Sequence, residues 1–184
     1  LDALLAIADA DAPYAERSRR DVGARCSTPP MTTSHRRYWV ATVNLDAVLL
    51  GLAGGFLPGG HGRDTVLRRP ARGDGVVCYS PRAEHGAKRA LQQLTAQGTF
   101  ADDEPHRVAG AWRRSVDHEE VRAVPIRPLL PMLGFVTDEQ RWSLPFRSGL
   151  VEVTAGDYGV LAGALRDAAT MDDAFSVSGR RADR

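Results

Sequence analysis

Apolar and polar positions along the chain change period several times, and each change marks an element. YWVATV, residues 38 to 43, is aromatic and β-branched, the composition of a buried strand. Asn44 then stands where a helix N-cap stands, and Leu45, Val48, Leu49 and Leu52 fall at i, i+3, i+4 and i+7, which predicts one apolar face of a short helix. The glycine-rich stretch GLAGGFLPGGHGR, residues 51 to 63, stops that helix. Beyond it a Gly-Asp-Gly turn leads into a strand at Val76 to Ser80, closed by Pro81. Further strands are predicted at LTAQGTF (94 to 100), AWRRSV into EVRAVPI (111 to 126) and GLVEV (149 to 153), while PLLPMLGF is broken by proline into a helical turn or two. Thr154, with Asp157 three residues on, makes an N-terminal box for a helix carrying Tyr158, Leu161 and Leu165.

Five or six short strands with helices inserted between them predict an α+β fold, a small mixed β-barrel rather than a βαβαβ sheet. A barrel of this size fills its interior with side chains, so a ligand site must lie at its mouth, among loops. Residues 13 to 36 are rich in Arg, Ser, Thr and Pro without apolar periodicity and read as disordered, as does the polar end from Met171. The expected organisation is a disordered N-terminal extension over 1–35, one domain over 36–166 and a disordered tail over 167–184. Met31, opening MTTSHRRYWV, reads as a natural start, with the thirty residues before it an extension or a misplaced reading-frame start.

Composition narrows the class. A chain of 184 residues holds one domain with a real core, 43% hydrophobic and 26% charged residues are ordinary for a soluble protein, and no apolar run approaches the ~20 residues of a membrane span. The opening LDALLAIADADA lacks the basic lead of a secretory signal, and two distant cysteines, Cys26 and Cys78, make neither a disulfide framework nor a zinc spacing; a cytoplasmic home is the default. Of 24 basic residues only Lys88 is lysine. GC-rich coding explains that bias blandly, yet arginine is also the side chain that forks onto phosphate and stacks on bases.

The glycine-rich stretch fails as a phosphate cradle. Gly54 and Gly59 have the Walker spacing, but Gly60 and His61 stand where Lys and Ser/Thr are needed, and no G-x-G-x-x-G occurs there. Its glycines serve as turn residues, or else Phe56 beside Gly54 and Gly55 stands at a rim where a flat ligand stacks. Ser80 and Ser148 lack a nucleophile elbow, the histidines at 35, 61, 85, 106 and 118 form no metal pattern, and the acidic pairs Asp102-Asp103 and Glu119-Glu120 read as solvated faces. No catalytic residue, metal or cofactor is expected. Trp39, Phe56, Tyr79, Trp112, Trp142 and Phe146 are interleaved with Arg63, Arg68, Arg69, Arg113, Arg114 and Arg147, a combination that suits an unstacked base held between rings and flanked by phosphates, although Trp39 inside its strand reads as core.

With RYWVATVNLD, GLAGGFLPGGHGR, VLRR, GDGVVCYSP, WRRSVD and PIRPLL in that order, residues 36 to 166 resemble the EVE-domain family, in its small stand-alone bacterial form, within the PUA-like superfamily. Cys78 takes a place where that pattern has an aromatic residue. The resemblance implies a PUA-like mixed β-barrel of five to six strands with short surrounding helices. It further implies a non-enzymatic nucleic-acid-binding module, for DNA or RNA, that recognises a modified, flipped or unpaired base. The alternative is a receptor for a free nucleobase, nucleoside or other small planar ligand. Carried over position by position, the family's pocket selects Asn44, Gly54, Gly55, Phe56, Tyr79 and Ser80, with Trp112 as a further wall, for the base, and His61 and Arg63 for a phosphate. Phe56 and Trp112 would stack on the base, and Asn44 and Ser80 would meet its edge.

Overall fold

In the computed structural model the alternation of side chains along YWVAT sets the plan of the molecule. Residues 35–59, 64–138 and 140–179 are described, with side chains in the last helix only as far as 170. Strand β1 (Tyr38–Thr42) buries both faces: Val40 turns one way, Trp39 and Ala41 the other. It pairs in parallel with β3 (Gly75–Arg82) and antiparallel with β8 (Leu150–Val153). β3 continues antiparallel to β4 (Ala90–Phe100), and β4 to β6 (Ala111–Glu119). β6 also carries β2 (Phe56–Pro58) and β5 (His106–Val108), while β7 (Val124–Pro125) pairs with the start of β4.

The main path of the sheet is therefore β2-β6-β4-β3-β1-β8, ending in two short edges. Leu57 of one edge strand and Leu150 of the other are buried in the same cluster as Trp39, Val76, Cys78, Phe100 and Val116, so the sheet curls until its edges approach. The result is an α+β fold built on a curled, mixed half-barrel. The outer side of β1 and β3, through Val40, Val77 and Tyr79, is covered by the second helix, α2 (Ala155–Gly179), whose Tyr158, Leu161, Ala162 and Leu165 are buried there. Two 3-10 turns, Arg127–Met132 and Pro145–Ser148, complete that layer. Among the described residues no helix is long and apolar enough to cross a membrane.

Three expectations change. Helix α1 (Leu45–Gly54) forms as the spacing indicates, but its buried stripe is Val48 and Gly51, with Leu49 56% and Leu52 38% exposed. The reason is Gly51: a Cβ there would stand 2.3 Å from the Phe56 carbonyl oxygen, so the helix docks by its bare backbone rather than by its leucines. Part of the glycine-rich stretch is strand, since Phe56–Pro58 pairs with Arg113 to Ser115. Helix α2 runs to Gly179, through residues expected in a loose tail; the expected N-terminal extension up to Ser34, and residues 180–184, lie outside the described residues. The box at Thr154 forms: the Thr154 hydroxyl accepts the Asp157 N–H at 3.1 Å and donates to its carboxylate at 2.7 Å.

Candidate functional site

Where the two edges of the half-barrel approach, the chain leaves a cavity of about 900 Å³. Its floor is the end of β1 (Ala41, Thr42, Val43), with Tyr79 from β3 beside it. Leu57 and Pro58 of β2, with Val66 and Leu67, form one wall; Phe146 to Leu150 and Ser143 form the other, and Pro81 and Arg82 close the end. The volume lies within the range of roughly 300–1,000 Å³ common for small-molecule and cofactor sites.

Backbone hydrogen bonds hold these walls in place. The Thr42 N–H donates to Gly149 O at 2.8 Å and the Val43 N–H to Tyr79 O at 3.0 Å, so the floor is tied to both neighbours. Gly149 takes φ +79, a conformation that suits glycine and lets the 3-10 turn swing into β8. The Ser148 hydroxyl, directed at Pro145 O (3.1 Å) and Leu150 O (3.3 Å), braces the same corner, and Arg69 donates to Leu150 O at 3.0 Å. The opposite wall depends on Arg114, fully buried on β6. Its guanidinium donates to Leu67 O at 2.5 Å, Pro70 O at 2.9 Å, Asp102 O at 2.6 Å and the Asp102 carboxylate at 2.6 Å. Burial works against ionisation of Asp102, but the bonds from Arg114 and from Ser115 outweigh it and hold the carboxyl below its ordinary value.

An aromatic group backs the cavity. The Tyr79 and Phe146 rings lie 4.7 Å apart at 45°, and Trp142 packs edge-on to both at about 6 Å. Thr42 Oγ1 is buried without a hydrogen-bond partner among the described residues. Among the described residues the cavity's charged side chains are Arg82 and Arg147, and no carboxylate lines it. Both arginines are exposed; Arg82 donates to Ala87 O, whereas Arg147 has no ion pair or hydrogen bond from its guanidinium among the described residues.

Of the residues expected to bind a base, the structure brings Tyr79 to this cavity. Asn44, Gly54, Gly55, Phe56, Ser80 and Trp112 are not in its lining. Phe56 is half-buried on β2 with the Arg113 guanidinium 4.0 Å from its ring centre, so a cation already covers one face. A Cβ at Gly54 would come within 2.5 Å of the Phe56 ring, and Gly55 closes α1 in the left-handed conformation (φ +66): both glycines serve this turn. Asn44 precedes α1 without a side-chain cap bond. Ser80 is buried against Thr95, hydroxyl to hydroxyl at 2.8 Å, and Trp112 is half-buried beside Arg107. His61 and Arg63 lie outside the described residues. Among the residues missed are Thr42, Arg82 and the Leu57–Pro58 wall; Phe146 and Arg147, like Tyr79, belonged to the interleaved aromatic and arginine set. Burial pushes the Cys78 thiol up to about 12, so it is a packing group and not a nucleophile. Among the described residues no group of three or more His, Cys, Asp or Glu is gathered to hold a metal ion.

No protein-family model matches the chain. It is 42% identical over 132 residues to a UPF0310 protein of Mycolicibacterium gilvum, covering 69% of this chain and 94% of that relative. It is 40% identical over 134 residues to a UPF0310 protein of Mycobacterium avium, covering 70% and 97%. Similarity to solved structures is looser: an NMR structure of a Rhodopseudomonas palustris protein aligns with TM-score 0.45 at 15% identity, over 70% of this chain and 92% of that one. Identity of this size along nearly the whole length of those relatives places the chain in the UPF0310 family.

Proposed function

We propose that this protein is a non-enzymatic nucleic-acid-binding module that takes a modified, flipped or unpaired base into the cavity at the seam of the half-barrel. The observation that carries the reading is the composition of that cavity: largely apolar walls, a Tyr79–Phe146 aromatic side, and two exposed arginines in its lining. Such a combination suits a planar heterocycle still attached to its backbone, because the ring is desolvated while the phosphates stay in water beside cations. The resemblance of the ordered motifs to EVE domains, and through them to PUA-like base readers, supports the same reading. Arg82 and Arg147 join His61 and Arg63, which lie outside the described residues, in the proposed phosphate role.

The test is equilibrium binding to single-stranded oligonucleotides carrying one modified base, measured across salt concentrations. Binding should weaken as salt rises, and Arg147→Ala should weaken it about equally for every base while reducing the salt slope by roughly one phosphate's worth. An unchanged affinity and slope in the Arg82→Ala, Arg147→Ala double variant would remove the arginines from the interface. The rival reading, a receptor for a free nucleobase or nucleoside, predicts thermal stabilisation by nucleosides that carry no phosphate chain.

A further inference from the structure

Val40 and Val77 are register partners on β1 and β3 and share the face toward α2; two residues further on, Thr42 and Tyr79 are partners in the same register. The pleat thus puts both hydroxyl-bearing side chains on one face of adjacent strands, at the end where the sheet opens, and both line the cavity. Neither hydroxyl has a hydrogen-bond partner among the described residues. Thr42 Oγ1 is buried with no partner. Tyr79 is 3% exposed as a residue, and its hydroxyl makes no hydrogen bond among the described residues, although the Arg127 charge acts on it. Buried polar groups nearly always have partners, so the orphaned Thr42 hydroxyl, with the unbonded Tyr79 hydroxyl beside it in the cavity lining, points to a partner from outside the chain.

Resting on the base-binding reading of this cavity, we propose that the Thr42–Tyr79 hydroxyl pair is its selecting wall, which admits a neutral planar base with a hydrogen-bond acceptor on its edge and rejects a cationic base. Burial raises the Tyr79 phenol above its ordinary value, against a smaller opposite pull from Arg127, so at neutral pH it stays an O–H donor and calls for a carbonyl oxygen or ring nitrogen. The Thr42 hydroxyl donates or accepts, and so completes a two-point contact with one edge. Rejection follows from charge: among the described residues the lining holds two arginines and no carboxylate, so a positively charged ring would be desolvated there without a counter-charge.

The experiment uses the full chain and one oligonucleotide sequence with a central uracil, cytosine, N6-methyladenine or 1-methyladenine, the last cationic, and an abasic control. The parent should bind at least one neutral base more tightly than the abasic strand, and the cationic base no better than it. Tyr79→Phe and Thr42→Val, which keep shape and remove one hydroxyl each, should each lose roughly three- to tenfold of the neutral-base affinity. Their affinity for the abasic strand should not change, and Thr42→Ser should restore binding. If the parent discriminates among bases but both variants keep its affinities, the hydroxyl pair is wrong while the base-binding reading stands. A parent that prefers the cationic base overturns the selection rule alone; a parent that prefers no base over the abasic strand overturns both.

Discussion

Arg114 is the residue on which one wall of the cavity depends. A fully buried guanidinium is costly unless its donors are engaged, and here bonds to Leu67, Pro70 and Asp102 engage four of its five N–H groups while fixing the carbonyls of the segment that carries Val66 and Leu67. Replacing Asp102 by Asn leaves that cation without its charge partner, and should cost roughly 3 kcal/mol at neutral pH, a cost readable as a lower denaturation midpoint. The pH dependence has a definite sign. Asp102 is held below its ordinary value when folded, so the unfolded chain binds the proton more readily. Its contribution is complete above the unfolded value of about 4 and drains as pH falls through the lower folded one. Asp102→Asn should therefore flatten the fall in stability below about pH 4, and a slope equal to the parent's would contradict the assignment. None of this was legible from residues: Asp102-Asp103 reads as a solvated pair, and Arg114 as one more arginine among many, because their meeting depends on a strand pairing that local sequence does not encode.

Among the elements, those with strong local signals formed where they were expected. YWVAT is a strand, and the Thr154–Asp157 box opens α2. Asp157 does more than cap, since its carboxylate also accepts the Gly134 N–H at 2.6 Å and so fastens the loop after the first 3-10 turn to the helix. Thr154→Ala should cost about 1 kcal/mol. Asp157→Ala should cost more, because it also frees the Gly134 N–H; chemical denaturation of the two variants compares them, and equal costs would mean that the loop bond contributes nothing. Helix α1 shows the limit of periodicity. Its spacing specified a helix but not the buried side, which a close approach at Gly51 decided. Phe56 is the parallel case: an aromatic beside glycines suggested a rim, yet β2 pairs with β6 and leaves the ring stacked under Arg113, away from the cavity.

For the whole molecule, short strands and turn spacing indicated a small α+β barrel, and the curled mixed sheet agrees with that class. The described residues nevertheless form eight strands in a half-barrel where five or six were expected, because β2, β5 and β7 are only two or three residues long. The open seam was not legible, because it is a relation between Thr42, Leu57, Tyr79 and Phe146 to Leu150, which lie on separate elements far apart in the chain. Both edges of the sheet are short, three residues in β2 and four in β8, which limits edge-to-edge association and leaves a gap between them where the proposed base would enter. The most direct measurement of that claim is an NMR titration of the full chain with a single-stranded oligonucleotide bearing one modified base, following backbone amides. Saturable shifts concentrated at Thr42, Val43, Leu57, Tyr79 and Arg147 to Leu150 are the predicted result. Shifts confined to Phe56, Arg113 and the exposed leucines of α1, with the seam unmoved, would contradict it.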